Sequence, residues 1–472
     1  MRVARTIAGT ATLTRTPLRC ALAPADVLAR LRDEPLPFAL VGDWAGGGAI
    51  VGADPACVAD PSEDPFALLD LVPAVAGGPS AAAYGRAAVA GGASAAAAGG
   101  VGGGWFGWLG YRLAALVERV PLAPRCPVAL PDFHLAYYDH VLRLDLDGRW
   151  WFEALATDTR REALDRRLAR IRDLLKRDSP PPPAAPGPLT LSAADAAHHL
   201  AAVADCRARI AAGEIFQANL CLRLDAPCNA RPTELLGVAL GRVRPRYAAA
   251  FHTPHGGIVS LSPELFLRRR GREVVTGPIK GTIARDGTPA SEAAALRALT
   301  GSSKDAAEHV MIVDLMRNDL GRVCEYGTVT APASPTPEAH PGVWHLVSDV
   351  RGRLRADASD EQLLRATFPP GSVTGAPKVQ SLRVIAALEP TCREVYTGAI
   401  GFAGPIAGLE LSVAIRTVEL AAGRLWLGAG GGIVADSDPN VELAEALAKA
   451  RPIAGAIGTT VHVQDGVVGA AA

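Results

Sequence analysis

Short apolar runs alternate with two long helical patterns in the second half of the chain, and this order constrains the fold more than any other feature of the sequence. Runs of strand type occupy residues 217–224, 258–262, 266–269, 398–402, 411–420 and 425–427. Apolar residues at helical spacing mark residues 302–320 and 439–450, the latter with Asp438 as its predicted N-cap. Strands interleaved with helices predict a mixed α/β architecture.

A proline-rich segment at residues 179–189 divides the chain, whose 472 residues are enough for one large interleaved domain or for two domains. We predict a linker there, with an N-terminal region at 1–178 and a catalytic domain at 190–460. Within the N-terminal region, strand patterns fall at 104–111, 133–145 and 149–156, and a charged helix is predicted at 159–177. After the linker, a helix is predicted at 193–212 with Ser192 as its N-cap.

Glycine and alanine dominate residues 77–104, where we expect a flexible loop. Residues 87–111 carry no charge and are long enough to cross a bilayer. Because glycine, alanine and serine gain little free energy on transfer into lipid, a loop explains this stretch better than a membrane span.

The charges and cysteines narrow the class of protein. With 48 basic and 48 acidic residues, the chain has no net positive field to hold a nucleic acid, so a small-molecule site is the better expectation. The eight cysteines are scattered without a Cys-x-x-Cys pair, which fits a reducing compartment. The first residues lack the apolar core of a signal peptide, and we predict a cytoplasmic protein.

Acidic residues on the two helical patterns admit two interpretations. Glu442, Glu445 and Lys449 are spaced by three and four residues, which places them on one helix face. A solvated face with an ion pair explains this stripe without any function. Alternatively, Glu308 on the other helix and the carboxylates of this stripe bind Mg²⁺, which takes one or two protein carboxylates together with waters and substrate oxygens.

Lys280 lies in Pro278-Ile279-Lys280-Gly281-Thr282, where proline and glycine fix the backbone around one amine. A nucleophilic role would require help from the surroundings, because a lysine in water is almost entirely protonated at neutral pH. An exposed turn lysine is the simpler interpretation of this segment. Likewise, the glycine run at 428–432 is either a nest of backbone amides for an anion or a tight turn.

A long series of segments, taken in order, resembles the chorismate-utilising enzymes. These segments are residues 103–111, 213–219, 261–264, 276–282, 308–309, 314–321, 345–348, 370–378, 396–398, 414–417 and 428–450. The family includes component I of aminodeoxychorismate synthase and of anthranilate synthase, and the isochorismate and salicylate synthases. The resemblance implies a large α/β sandwich with antiparallel sheets that enclose one active site.

The resemblance also implies roles for individual residues. Lys280 would be the covalent nucleophile, Glu264 the general acid and His345 an assistant in proton transfer. Glu308 and Glu445 resemble the Mg²⁺ ligands, with Glu442 close by. The residues that would receive the carboxylates of chorismate are Ser372, Thr374, Gly375, Tyr396, Arg416, Gly430, Gly431 and Lys449.

Within the family, a lysine at position 280 is associated with aminodeoxychorismate synthases, whereas anthranilate synthases usually carry alanine there. A lysine that occupies ring carbon 2 directs ammonia to carbon 4. Because the chain has no Gly-x-Cys-x-Gly glutaminase motif, the resemblance implies a separate glutamine amidotransferase subunit, or direct use of ammonium salts. The alternatives are an anthranilate synthase component, an aminodeoxychorismate or aminodeoxyisochorismate synthase of an antibiotic pathway, and a chorismate-binding subunit without catalysis.

Overall fold

The computed structural model describes residues 7, 9–76, 100–126, 130–285, 288–301, 303–340 and 343–464. Its strands are β1 Thr10–Leu18, β2 Phe38–Gly42, β3 Gly48–Gly52, β4 Cys57–Val58, β5 Ala74–Val75, β6 Gly104–Leu109, β7 Phe133–Tyr138, β8 His140–Leu144, β9 Trp150–Ala156, β10 Leu189–Leu191, β11 Gln217–Pro227, β12 Tyr247–Thr253, β13 Gly256–Ser262, β14 Leu265–Arg270, β15 Glu273–Gly277, β16 Ile279–Ala284, β17 Thr336–His340, β18 Val343–Val347, β19 Val350–Arg353, β20 Gly375–Ala376, β21 Ala399–Gly404, β22 Gly408–Val413, β23 Thr417–Ala421, β24 Arg424–Ile433 and β25 Val461–Val463. Its α-helices are α1 Pro24–Leu31, α2 Pro65–Leu68, α3 Ala114–Val117, α4 Arg161–Leu175, α5 Ala193–Ala211, α6 Pro232–Leu240, α7 Pro289–Gly301, α8 Ser303–Gly321, α9 Asp360–Thr367, α10 Lys378–Leu388 and α11 Pro439–Ile457.

The strands form three sheets, which are antiparallel except at two edge pairings. Sheet I has fourteen strands in the order β25-β10-β11-β24-β23-β13-β12-β2-β3-β8-β9-β1-β5, with β20 paired to β11. Sheet II has eight strands in the order β19-β15-β14-β22-β21-β6-β7-β4. Sheet III is a separate unit of three strands, β16-β18-β17.

Sheets I and II pack face to face around an aromatic core. Phe38 of sheet I stacks on Phe251 with ring centroids 5.4 Å apart and meets Phe106 of sheet II at 4.5 Å. The outer face of sheet I is covered by α1, α6 and α11, and that of sheet II by α8 and α9, through clusters of buried aliphatic residues. This arrangement confirms the predicted α/β sandwich with antiparallel sheets.

The chain passes between the two large sheets at short breaks within predicted strands. The prediction of one strand at residues 411–420 is wrong, since β22 belongs to sheet II and β23 to sheet I. The break at residues 414–416 places Arg416 in the left-handed region, with φ of 50°. In the same way, residues 133–145 contain two strands, β7 and β8, in different sheets. Both breaks arise because each half pairs with a different sheet.

Both halves of the chain contribute strands to both large sheets. Strand β2 pairs with β12, and β6 pairs with β21, so sequence on the two sides of residues 179–189 is joined by backbone hydrogen bonds. Residues 178–188 have no helix or strand, as expected for a connection, but they do not separate two hydrogen-bonded units. Most of the predicted glycine and alanine loop, residues 77–99, lies outside the described residues.

The predicted helix ends are confirmed at two positions. The Ser192 side chain accepts a hydrogen bond from the Asp195 amide at the start of α5, and Asp438 accepts from the Asn440 and Val441 amides at the start of α11. Among the helices that the structure describes, none is long and apolar enough to cross a membrane. None of the eight cysteines forms a disulfide bond.

Candidate active site

Lys280 lies on a bulge of sheet III. The register of β16 against β18 shifts between Lys280 and Thr282, and Gly281 between them has φ of 72°. A Cβ atom at position 281 would approach Leu299 Cδ1 to 2.9 Å, so a side chain there would be both strained and crowded. A bulge re-aims the neighbouring side chain, which explains why glycine follows the lysine.

The Lys280 amine meets an acidic helix. Its Nζ atom lies 3.5 Å from Glu308 Oε2 on α8, and each of these side chains is 14% exposed. His309, the next residue of α8, forms a 2.6 Å hydrogen bond between its Nε2 atom and Oγ of Ser348. Ser348 lies just after β18. Burial, together with the charge of Lys280, lowers the pKa of His309 to about 4, so its ring is neutral at neutral pH.

Glu264 is buried between sheets I and II, directly before β14, and is 3% exposed. Burial raises its pKa to about 7, although Ser372, Lys280 and Arg416 act in the opposite direction. The buried Ser372 hydroxyl interacts with the Glu264 carboxyl group, which is why it favours the charged form. A carboxyl group in this state suits a general acid, because its proton is available near neutral pH.

The glycine run lies within strand β24 and does not form the predicted turn or nest. Its residues pair along β11, with Gly430 opposite Cys221 and Gly431 opposite Leu220. A Cβ atom on Gly430 would approach the Leu220 carbonyl oxygen to 2.1 Å, so close contact between the two strands requires glycine there. Backbone amides of an extended strand alternate in direction, and a converging cluster of donors is therefore absent from residues 428–433.

Two groups of site residues lie on opposite faces of β24. A Cβ atom on Gly432 would be 1.9 Å from Gln217 Nε2 and 3.4 Å from Lys280 Nζ. A Cβ atom on Gly431 would be 3.3 Å from Glu442 Oε2, 3.4 Å from Lys449 Nζ and 3.8 Å from Glu445 Oε1. Adjacent residues of a strand point in opposite directions, so Gly432 faces Lys280 and Gly431 faces the acidic side of α11.

The acidic face of α11 is confirmed as a unit. Glu442 is buried and accepts a 2.6 Å hydrogen bond from Ser437 Oγ. Lys449 Nζ lies 2.8 Å from Glu445 Oε1 and donates to the Gly430 carbonyl oxygen at 3.0 Å. The helix therefore presents two carboxylates and one ammonium toward the glycine strand.

In the described ranges, no group of three or more histidine, cysteine, aspartate or glutamate side chains is arranged to hold a metal ion. The available donors nevertheless match Mg²⁺ in chemistry, since Glu308 and Glu445 supply hard carboxylate oxygens from separate helices. Mg²⁺ keeps several waters and needs only one or two such ligands. The α11 carboxylates approach the backbone of Gly431 closely, since a Cβ atom there would be 3.3 Å from Glu442 Oε2.

The segment from Pro370 to Ala376 lines the site beside Glu264. The Ser372 hydroxyl is buried beside the Glu264 carboxyl group, whereas the Thr374 hydroxyl donates to the Gly371 carbonyl at 3.1 Å. Gly375 pairs with Ala218 of β11, and a Cβ atom there would be 2.1 Å from the Gln217 carbonyl oxygen. Thr374 and Gly375 therefore shape the backbone of this segment in the structure.

Of the remaining predicted residues, Tyr396 and His345 are buried and Arg416 is partly buried. The Tyr396 ring covers Gly428, where a Cβ atom would approach its Cδ1 to 2.3 Å, and burial raises the pKa of its hydroxyl. Burial lowers the pKa of Arg416, and the nearby Glu264 carboxylate opposes that shift. His345 is 1% exposed on β18, where it pairs in register with Thr282.

Sequence reasoning missed three features of the site. Gln217 is 1% exposed with no partner for Oε1 among the described residues, and it approaches the same glycine as Lys280. The His309 and Ser348 pair was also missed, as was buried Arg393, which donates to Glu389 and to the Val373 carbonyl. All of these except Arg393 stand inside the motifs quoted above, which was the available signal.

Comparisons with known proteins point to a single family. The family model described as chorismate binding enzyme matches residues 74–455. The chain is similar to anthranilate synthase component 1 of Streptomyces coelicolor, with 39% identity over 374 residues that cover 75% of this chain and 73% of the relative. It is also 40% identical over 363 residues to aminodeoxychorismate synthase of Streptomyces griseus, covering 74% of this chain but only 49% of that relative's length.

A solved structure shares the fold. The crystal structure of anthranilate synthase component I from Streptococcus pneumoniae TIGR4 superposes with a TM-score of 0.69 and 25% sequence identity. The alignment covers 93% of this chain and 99% of that one. The three-sheet arrangement around Lys280 is thus a known architecture.

Proposed function

The chain belongs to the family of chorismate binding enzymes, and we propose that it aminates chorismate at carbon 4 to give 4-amino-4-deoxychorismate. The observation that carries this proposal is the position of Lys280. Its amine stands between the Glu308 carboxylate and the Gly432 backbone, in the same space as the Glu264 carboxyl group. A nucleophile beside a protonated carboxyl group is what a displacement through a covalent intermediate needs.

In the proposed reaction, the Lys280 amine adds to ring carbon 2 while the carbon 4 hydroxyl departs with the proton of Glu264. Ammonia then adds to carbon 4 and the bond between carbon 2 and the lysine breaks, which restores the amine. The sum is chorismate plus ammonia giving 4-amino-4-deoxychorismate plus water, and the pyruvyl ether is retained. His345, buried on the strand next to Lys280, assists the proton transfers.

Substrate carboxylates are held by the groups around this space. Arg416 and Ser372 lie next to Glu264, and Tyr396 closes the wall over β24. Lys449 and the backbone of Gly430 and Gly431 belong to the acidic side of the strand, where Lys449 supplies a positive charge. Thr374 and Gly375 position the Ser372 segment.

We propose that Glu308 and Glu445, with Glu442 nearby, hold Mg²⁺. The bound cation would neutralise a carboxylate of the substrate. The hard carboxylate oxygens of these side chains, and their approach to the glycine strand, support this assignment.

The nitrogen source is proposed to be a glutamine amidotransferase subunit. At neutral pH almost all ammonia in solution is ammonium, which has no lone pair to attack carbon 4, so internal delivery from glutamine is favoured over ammonium salts. The product would lead toward 4-aminobenzoate and folate.

One alternative within the family has specific support. The similarity to anthranilate synthase component 1 of Streptomyces coelicolor is as high as that to the aminodeoxychorismate synthase, so amination at carbon 2 is the competing reaction. Lys280 favours carbon 4, because a lysine bonded to carbon 2 blocks that atom. A subunit that binds chorismate without catalysis is less consistent with a buried acid and an adjacent amine.

Incubation of the purified protein with chorismate, Mg²⁺ and ammonium, followed by product identification, tests the proposal. We expect 4-amino-4-deoxychorismate from the native chain and a loss of about 10²-fold or more in Lys280→Ala. Lys176→Ala is the matched control, because Lys176 is exposed and pairs with the exposed Asp173. Anthranilate as the product, or native rates in Lys280→Ala, would refute the carbon 4 reaction by way of the lysine.

A further inference from the structure

The contact between Lys280 and Glu308 joins the proposed nucleophile to a proposed metal ligand. The ammonium lies 3.5 Å from Glu308 Oε2, and neither side chain is more than 14% exposed. An ion pair so little exposed is weakly screened by solvent and salt. Each partner therefore changes what the other can bind.

A divalent cation and the ammonium would compete for the same carboxylate. Mg²⁺ binds carboxylate oxygens at about 2.0–2.1 Å, so an ammonium in contact with Glu308 would stand only a few ångströms from the metal. Two cations at that separation repel each other strongly in a site of low effective dielectric constant. Occupation of Glu308 by the cation must therefore weaken its contact with the lysine.

The second predicted metal ligand has a similar but more exposed partner. Lys449 Nζ lies 2.8 Å from Glu445 Oε1, with side chains 45% and 47% exposed. Solvent screens this pair, and Lys449 has a second acceptor in the Gly430 carbonyl oxygen. Competition at Glu445 is therefore smaller than competition at Glu308.

We propose that Lys280 is a built-in competitor of the divalent cation at Glu308, so that cation binding and release of the amine from Glu308 are coupled. The inference rests on the proposed function, since it assigns the metal to Glu308 and the nucleophile to Lys280. Coupling of this kind is reciprocal: the lysine lowers the affinity for the cation by the factor by which the cation weakens the ion pair. The cation thereby frees the amine for substrate.

Direct metal binding in the absence of substrate tests the proposal. Mn²⁺ serves as the probe because it takes the same carboxylate and water ligands as Mg²⁺, and its free concentration is measured by electron paramagnetic resonance. We expect Lys280→Met to bind Mn²⁺ at least about fivefold more tightly than the native chain, which is ~1 kcal/mol at 25 °C. Lys280→Arg keeps the positive charge and should bind as the native chain does.

Control variants separate this effect from a general change of charge. Lys176→Met removes an exposed lysine that pairs with Asp173 and should leave Mn²⁺ affinity unchanged. In a chain that also carries Glu308→Gln, Lys280→Met should bind Mn²⁺ no more tightly than the chain that retains Lys280. Equal or weaker binding in Lys280→Met, or the same gain in Lys176→Met, would overturn the proposal, as would the lack of saturable Mn²⁺ binding in every variant.

A measurement on the native chain avoids the risk that a variant fails to fold. Acetylation of individual lysines by a trace of acetic anhydride, mapped by mass spectrometry, reports whether each amine is engaged. Addition of Mg²⁺ should increase labelling of Lys280 several-fold and leave Lys176 unchanged, and a constant or reduced rate at Lys280 would contradict the coupling. Neither experiment needs turnover, so failure here differs from failure of the proposed reaction, which product analysis reports.

Discussion

The carboxyl group of Glu264 shows how strongly a single position depends on its surroundings. Burial raises its pKa to about 7, against an ordinary value near 4.5. The native state therefore holds the proton more tightly than the unfolded chain does. The stability from this group is fully present below about pH 4.5 and is lost as the pH rises to about 7.

We predict that this loss can be measured as a pH-dependent difference between the native chain and Glu264→Gln. A shift of this size corresponds to about 3 kcal/mol of unfolding free energy between pH 4.5 and 7, because one pKa unit is worth about 1.4 kcal/mol. Urea unfolding at pH 5 and pH 8 should show Glu264→Gln gaining stability relative to the native residue as the pH rises.

If the difference in unfolding free energy between the native chain and Glu264→Gln is the same at pH 5 and pH 8, burial does not raise the pKa of Glu264. Glu162→Gln provides the control, since Glu162 is exposed in an i,i+4 pair with Arg166. The difference in unfolding free energy between Glu162→Gln and the native chain should not depend on pH over this range.

Individual site residues were predictable from the sequence to different degrees. Motif resemblance pointed to Lys280 and Glu264, and in the structure the charge of Lys280 opposes the rise in the pKa of the buried Glu264 carboxyl group. The contact between His309 and Ser348 was not predictable, because 39 residues separate them in the sequence. No spacing rule relates a residue on a helix to a residue at the end of a distant strand. Local pattern identifies residue types, whereas such contacts depend on the tertiary fold.

Strand β24 carries the site as an element, since its glycines allow the side chains on both faces to approach. The sequence suggested a turn or nest at 428–432 because glycine lowers strand propensity. The structure overrides this propensity: Gly428 lies under the Tyr396 ring and Gly430 against β11, where any Cβ atom would collide. A glycine-rich segment can therefore form a paired strand where neighbouring groups come so close that only glycine, which has no side chain, fits.

We predict that Gly432→Ala disturbs the site more than the fold. Its Cβ atom would lie 1.9 Å from Gln217 Nε2, so the buried glutamine must move away from the space that it shares with Lys280. Overpacking of this kind costs about 1–3 kcal/mol, and product formation should fall by at least about tenfold. Thermal unfolding and the chorismate assay measure the two effects.

Gly455→Ala is the matched control for this substitution. Gly455 lies in α11, where an added Cβ atom would have nothing within 4 Å, so alanine should stabilise the helix by up to about 1 kcal/mol and leave activity unchanged. Native activity in Gly432→Ala would show that Gln217 has no part in the site.

Breaks within predicted strands were the second feature of the elements that could not be predicted from the sequence. Residues 411–420 resemble one strand because apolar and polar positions continue across the break at 414–416. Alternation shows which face is buried, but it does not show which sheet the strand joins. The boundaries of α5 and α11, in contrast, followed from Ser192 and Asp438, since capping is a local interaction.

At the scale of the whole molecule, the aromatic core between sheets I and II is built from both halves of the chain. Phe38 and Phe106 come from before residues 179–189, and Phe251 and Phe402 from after them. The fold class was predictable from the order of strands and helices together with the resemblance. The pairing of β2 with β12 was not, because it joins segments about 200 residues apart.

We predict that residues 189–472 do not fold alone. Removing the N-terminal strands would expose the edges of β12 and β21 and one side of the aromatic core. The fragment should therefore bind a hydrophobic dye and unfold without a cooperative transition, as judged by circular dichroism during heating. A sharp transition in the fragment would establish an independent domain, and co-expression with residues 1–188 is the complementing control.

Among the strands that the structure describes, those of sheet III join neither of the large sheets by backbone pairing, and they carry Lys280, the proposed nucleophile. Most residues proposed to hold the substrate lie on or beside strands of sheets I and II, so in the proposed reaction the groups that hold the ring and the group that selects the reacting carbon belong to separate pieces of backbone. A substitution in the short strand β16 would then change the product and leave the groups that hold the substrate in place.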